Sequence, residues 1–123
     1  IAEGAQLARP AAAAISTAGE AGELYLSPVS AWELGKAVAS RKLNIAKEPL
    51  AYFEAFLQAI GARLCPMETD VLVASSFLPG RIHRDPMDRI LIQTARHNNM
   101  TLLTRDRKIL AYGAEGHVKV MAC

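Results

Sequence analysis

The stretch from His83 to Asp106, HRDPMDRILIQTARHNNMTLLTRD, decides the fold. Behind Asp85-Pro86, the residues Met87, Ile90, Leu91, Thr94 and Ala95 recur at helical spacing. The pattern predicts a helix from Pro86 to about His97, with proline at its first position. Asn98-Asn99 suits a left-handed exit from that helix. Thr101 to Thr104 then reads as a short apolar strand, and Asp106 lies just past its end. The stretch therefore puts Asp85 and Asp88 on the opening turn of a helix and Asp106 beyond a strand. Carboxylates at helix starts and strand ends can converge at one edge of an α/β sheet. Convergent hard oxygens are what a magnesium or manganese ion requires.

Working outward, the same alternation recurs. Residues 5 to about 18 are alanine-rich and predict a helix, with Gly19 and Gly22 ending it. Leu24-Tyr25-Leu26 is a short strand. Ser27-Pro28 opens a helix reaching to about Arg41. Leu50, Phe53, Phe56, Leu57 and Ile60 predict a helix from Pro49 to Ile60, stopped by Gly61. Arg63 to Pro66 reads as a strand that Pro66 keeps short. Glu68 to Leu78 reads as helix, Pro79-Gly80 as a turn, Arg107 to Tyr112 as a short helix, and Val118 to Met121 as a last strand. Short apolar strands alternating with helices imply a parallel sheet covered on both faces, with ligands gathering at the carboxyl ends of the strands.

The chain has 123 residues, the length of one domain, and 51% of them are hydrophobic against 21% charged. That balance excludes intrinsic disorder. Net charge is only +2, which does not by itself point to nucleic acid. Half of the 14 basic residues nevertheless fall between Arg81 and Lys108, around the three aspartates. A basic rim about an acidic centre suits a polyanion held over a metal. Taken alone, the charges fit solvated helix faces better. Cys65 and Cys123 form no metal-ligand spacing and no disulfide framework, so a reducing compartment is expected. No run of about 18 apolar residues predicts a membrane span. Opening on Ile1-Ala2-Glu3 suggests that some native N-terminal sequence is absent.

The acids have two readings each. Every aspartate lies at or after Asp70, and the first half offers one well-placed acid, Glu33 in SPVSAWELG. Ser30 and Glu33 have the spacing of a capping box. Asp85 before Pro86 has the form of an N-cap, Asp88 would sit where the helix dipole favours negative charge, and Asp106 could cap the next helix. Caps account for each acid singly. They do not account for acids recurring at the same edge after successive strands. Ser27 and Thr104, at strand ends, read as caps or turn formers, with orientation of a carboxylate or of metal-bound water as the alternative. His83 reads as a loop histidine bonded to backbone, with general base as the alternative. Trp32 reads as core or interface. Zinc, serine-hydrolase and P-loop signatures are lacking.

SPVSAWELG, the insert ending in SRKLNI, HRDPMDRILIQTA and TLLTRDRKILAYG together resemble the PIN-domain ribonucleases, and among them the VapC-type toxins of bacterial toxin–antitoxin pairs. The resemblance runs from about Leu24 to Val120. It implies a three-layer α/β/α domain with a central parallel sheet and a cytoplasmic, Mg²⁺- or Mn²⁺-dependent endoribonuclease that cuts structured RNA such as tRNA or rRNA. It places the family's metal-binding acids on Glu33, Asp88 and Asp106, with Asp85 in support. It further implies a homodimer and a protein antitoxin that blocks the site. Arg84 and Arg89 would hold flanking phosphates, although Arg89 equally suits an i,i+4 pair with Asp85. Family members begin with a central strand ending in an aspartate, and here no aspartate precedes Asp70. Residues 1–123 are thus expected to be one PIN-like domain, N-terminally incomplete. That absence motivates the competing reading, a catalytically silent domain that binds antitoxin or RNA.

Overall fold

The structure, a computed structural model, describes residues 6–123; the opening Ile1-Ala2-Glu3 and the first residue of the expected N-terminal helix lie outside them. The chain divides into two compact units, residues 15–66, and residues 67–123 together with the N-terminal segment up to Ala14.

Helix α1 (Arg9–Ala21) spans the division. It ends where Gly22 takes φ +71, a left-handed conformation that costs glycine little, and the Glu23 N–H reaches back to the Ala18 carbonyl at 2.8 Å. In the first unit the chain then forms β1 (Tyr25–Leu26), α2 (Pro28–Ala39), α3 (Pro49–Ile60) and β2 (Arg63–Leu64). Both helices begin with proline at the first position behind a side-chain cap. Ser27 Oγ accepts the Val29 N–H, and the Glu48 carboxylate accepts those of Leu50 and Ala51. Gly61, at φ +69, ends α3. Strands β1 and β2 pair in parallel, Tyr25 opposite Arg63 and Leu26 opposite Leu64. Val29, Phe53 and Cys65 are buried in this unit.

The second unit carries α4 (Thr69–Ala74), a 3₁₀ turn (Ser75–Phe77), α5 (Pro86–His97), β3 (Thr101–Thr104), α6 (Arg107–Ala114) and β4 (Lys119–Ala122). The expected helix from Glu68 to Leu78 is thus shorter, its last turn tightening to 3₁₀. Strands β3 and β4 pair in parallel from Thr101–Lys119 to Thr104–Ala122. Leu78, Ile92, Ala95, Ile109, Tyr112 and Val118 form the core, flanked by Ile82, Met100, Leu102 and Val120. Helix α6 lies so close on β4 that a Cβ on Gly113 would come within 2.3 Å of the Val120 side chain. Asn99 makes the left-handed exit from α5 at φ 53.

The protein is therefore a mixed α/β chain with short parallel strands. Where the sequence leads one to expect one central sheet, the described strands form two separate parallel pairs. No helix among the described residues is long and apolar enough to cross a membrane.

Candidate metal centre

Asp85 caps α5. Its Oδ1 accepts the N–H of Met87 at 2.9 Å and of Asp88 at 3.4 Å, and Pro86 fills the position whose N–H would have no partner. With the cap supplied by Asp85, the carboxylate of Asp88 is released from that duty. It turns to the loop before the helix, where its Oδ2 lies 2.7 Å from Nε2 of His83. The expected backbone partner for the His83 ring is thus replaced by a carboxylate. The distance is that of a charge-assisted hydrogen bond.

Asp106 caps α6 with one oxygen. Its Oδ1 accepts the N–H of Lys108 at 2.8 Å and of Ile109 at 3.0 Å. Both backbone bonds fall on Oδ1, so capping and a second role for the same carboxylate are compatible. Thr104 Oγ1 accepts the Asp106 N–H at 3.0 Å, which fixes the turn between the end of β3 and the cap. The result is a gathering of His83, Asp88 and Asp106, each offering one donor atom within 4.8 Å of the other two. Two carboxylates and an imidazole of this spacing suit a small divalent cation.

The loop that supplies His83 is held from two sides. Arg89, one residue after Asp88, spends its guanidinium on backbone carbonyls. Nε donates to Ser75 at 2.9 Å, Nη1 to Ile82 at 3.2 Å and to His83 at 3.4 Å, and Nη2 to Ser76 at 3.4 Å. The alternative Asp85 pairing is not what this side chain makes. From the other side the Tyr112 hydroxyl, on α6, donates to the Pro79 carbonyl. Burial holds that hydroxyl above the ordinary tyrosine pKa, so it remains a donor; Arg96 and then Arg89 oppose the shift. Next to it, Gly80 takes φ +69 under the His117 ring, where a Cβ would lie 2.7 Å from Nε2. Arg84 is exposed and lines a recess of about 250 Å³ with Ser75, Ser76, Pro86 and Arg89.

Glu33 lies on α2 in the other unit, exposed. The capping box expected with Ser30 is absent, because Ser27, three residues earlier, is the cap of α2. Ser27 is buried in that role. Trp32 is not core: it is 53% exposed, with the Lys36 ammonium 5.0 Å above its ring. A second acid–imidazole group escaped the sequence reading. His97 Nε2 lies 3.8 Å from Glu68 and 4.0 Å from Asp70, all three exposed. Its signal is faint, since His97 follows Asp70 by a whole helix and loop.

The sequence pattern of the PIN domain family matches residues 1–115. No curated protein and no solved structure matches the chain.

Proposed function

The chain belongs to the PIN domain family, whose members are commonly metal-dependent nucleases, and from that premise we propose that it is a Mg²⁺- or Mn²⁺-dependent endoribonuclease of the VapC type. Its substrate is a structured RNA of the tRNA or rRNA class. It acts as a homodimer in the bacterial cytoplasm, on a three-layer α/β/α scaffold, and a cognate antitoxin silences it. The observation that carries the proposal is the convergence of Asp88, Asp106 and His83 in one unit, with the acids drawn from two different helix starts.

Asp88 and Asp106 would hold the cation. A divalent ion held by them would supply a water of lowered pKa and neutralise charge on the phosphate being cleaved. Asp106 keeps its backbone cap on one oxygen and offers the other. Glu33 enters the proposed set on the resemblance of SPVSAWELG alone. Asp85 and Thr104 support the site by fixing the starts of α5 and α6. Arg84 takes the phosphate-binding role. Arg89, committed to four carbonyls, serves RNA by shaping the recess it shares with Arg84.

The test is cleavage of a total tRNA and rRNA pool by the purified chain with and without Mn²⁺, alongside Asp88→Asn. The expected result is Mn²⁺-dependent cleavage by the parent and none by a folded Asp88→Asn. Equal cleavage by the two removes Asp88 from the site. No Mn²⁺ binding and no cleavage by the parent, together with tight antitoxin binding, favours the silent domain that binds antitoxin or RNA.

A further inference from the structure

Two roles are open to His83 beside Asp88. As a ligand, it would turn a nitrogen lone pair to the same cation. As a support, it would donate a proton to Asp88 and leave the cation to oxygen. The two demand opposite tautomers, and the surroundings of the ring decide between them.

Nε2 faces Asp88 Oδ2 at 2.7 Å. Nδ1 is sealed from solvent and has no hydrogen-bond partner among the described residues. A proton on Nδ1 would be a buried donor with no acceptor, at a cost of about 1–3 kcal/mol. It would also leave two lone pairs, on Nε2 and Oδ2, facing each other at contact distance. A proton on Nε2 leaves Nδ1 a bare lone pair rather than an orphaned donor, and replaces the two facing lone pairs with a short bond to the carboxylate. The residue is anchored through its main chain and its loop. Its backbone carbonyl is held by Arg89 Nη1, and its loop is tied to α6 through Pro79 and Tyr112.

We infer that His83 is a positioning residue: as the Nε2–H tautomer it donates to Asp88 Oδ2, turns that carboxylate toward Asp106, and does not itself coordinate the cation. The inference rests on the metal-centre reading above and deepens it. The ring fixes one oxygen of Asp88, which leaves the cation an all-oxygen donor set. Such a set suits Mg²⁺ and Mn²⁺ over the softer ions that imidazole attracts. Partners behind a ligand of this kind typically change metal affinity 10–100-fold.

Three measurements on the full chain test it. In the metal-free protein, ¹⁵N shifts of the His83 ring should report Nε2 protonated and Nδ1 bare; the reverse overturns the inference, whether or not the protein is a nuclease. By calorimetry with Mn²⁺ alone, His83→Ala should weaken binding about 10–100-fold, while His83→Gln, whose amide can donate to the same oxygen, should retain most of it. Equal binding by His83→Ala and parent overturns the role. So does equal loss in Ala and Gln when both melt like the parent. Pulsed EPR of the Mn²⁺ complex should show no coupling to an imidazole nitrogen; a coupling that vanishes in His83→Ala makes His83 a ligand instead. A parent chain that binds no Mn²⁺ ends the metal-centre reading first, and this role with it.

Discussion

Two groups in the same unit have the same inventory, one imidazole and two carboxylates: His83 with Asp88 and Asp106, and His97 with Glu68 and Asp70. Their settings differ. The His83 and Asp88 side chains are 19% and 23% exposed and meet at 2.7 Å, and only Asp106 of this group is exposed. Those of His97, Glu68 and Asp70 are 39%, 55% and 66% exposed, and the ring lies 3.8 Å from Glu68 and 4.0 Å from Asp70. In the first group each part has a backbone reason for its place: a capped helix start for each acid, and a loop pinned by Arg89 and Tyr112 for the ring. In the second, Glu68 makes no side-chain bond to the helix it precedes, and among the described residues Asp70 accepts a hydrogen bond only from its neighbour Val71. Solvent screens such pairs to roughly 0–1 kcal/mol. Proximity of acids alone does not make a site; preset orientation does.

The strongest way to break this comparison is Asp106→Asn. Asparagine caps a helix about as well as aspartate, so the melting temperature should hold while Mn²⁺ affinity falls roughly 100-fold, about 2.7 kcal/mol. Asp106→Ala should lose the same affinity and also about 1 kcal/mol of stability with the cap. Calorimetry and thermal melts separate the two losses; an unchanged affinity in both variants would put Asp106 on a level with Asp70.

Arg89→Ala probes the mounting rather than the acids. Four carbonyls lose a charged donor, and the expected cost is about 2 kcal/mol in urea unfolding, since hydrogen bonds to charged groups contribute roughly 1.5–3 kcal/mol and these are not additive. Mn²⁺ affinity should drop with it, because the His83 loop loses its anchor. Arg89→Lys should rescue little, as an ammonium lacks the planar fork that spans several acceptors. Stability lost with affinity intact would show that the loop keeps its shape unaided.

The smallest effects are expected in the solvent-exposed group. Glu68→Gln and Asp70→Asn should each change stability by less than about 0.5 kcal/mol and leave Mn²⁺ binding and RNA cleavage as in the parent. A loss of cleavage in either would mean that the exposed cluster, not the mounted one, does the chemistry.

Much of the fold is legible because its punctuation is local. Proline behind a cap and glycine after the last apolar residue bound α3 from Pro49 to Ile60, and Asp85-Pro86 with Asn98-Asn99 bound α5. Strand β3 follows from four residues alone. The caps at Asp85 and Asp106 are visible for the same reason. What stays hidden needs distance along the chain. Arg89 reaches carbonyls 6 to 14 residues back, and carbonyls carry no sequence signature. The Tyr112 bond to Pro79 spans 33 residues. Two readings compete at Ser30, and the cap observed at Ser27, where Ser27-Pro28 already suggested the helix opens, decides against the capping box. The His83–Asp88 contact lies between: the two are five positions apart, with a cap and a proline turning the chain back, and that spacing is the clue a sequence reader can use.

Helix α6 has a consequence beyond its eight residues. Its first turn is set by Asp106, and Tyr112 further along the same rod grips the loop from which His83 hangs. The helix is therefore a ruler: it sets the gap between one acid and the ring that steers the other. Gly113, flush against Val120, fixes where that ruler is clamped on β4. A bulkier residue at 113 would shift both marks at once, so a substitution far from any carboxylate can detune the whole centre.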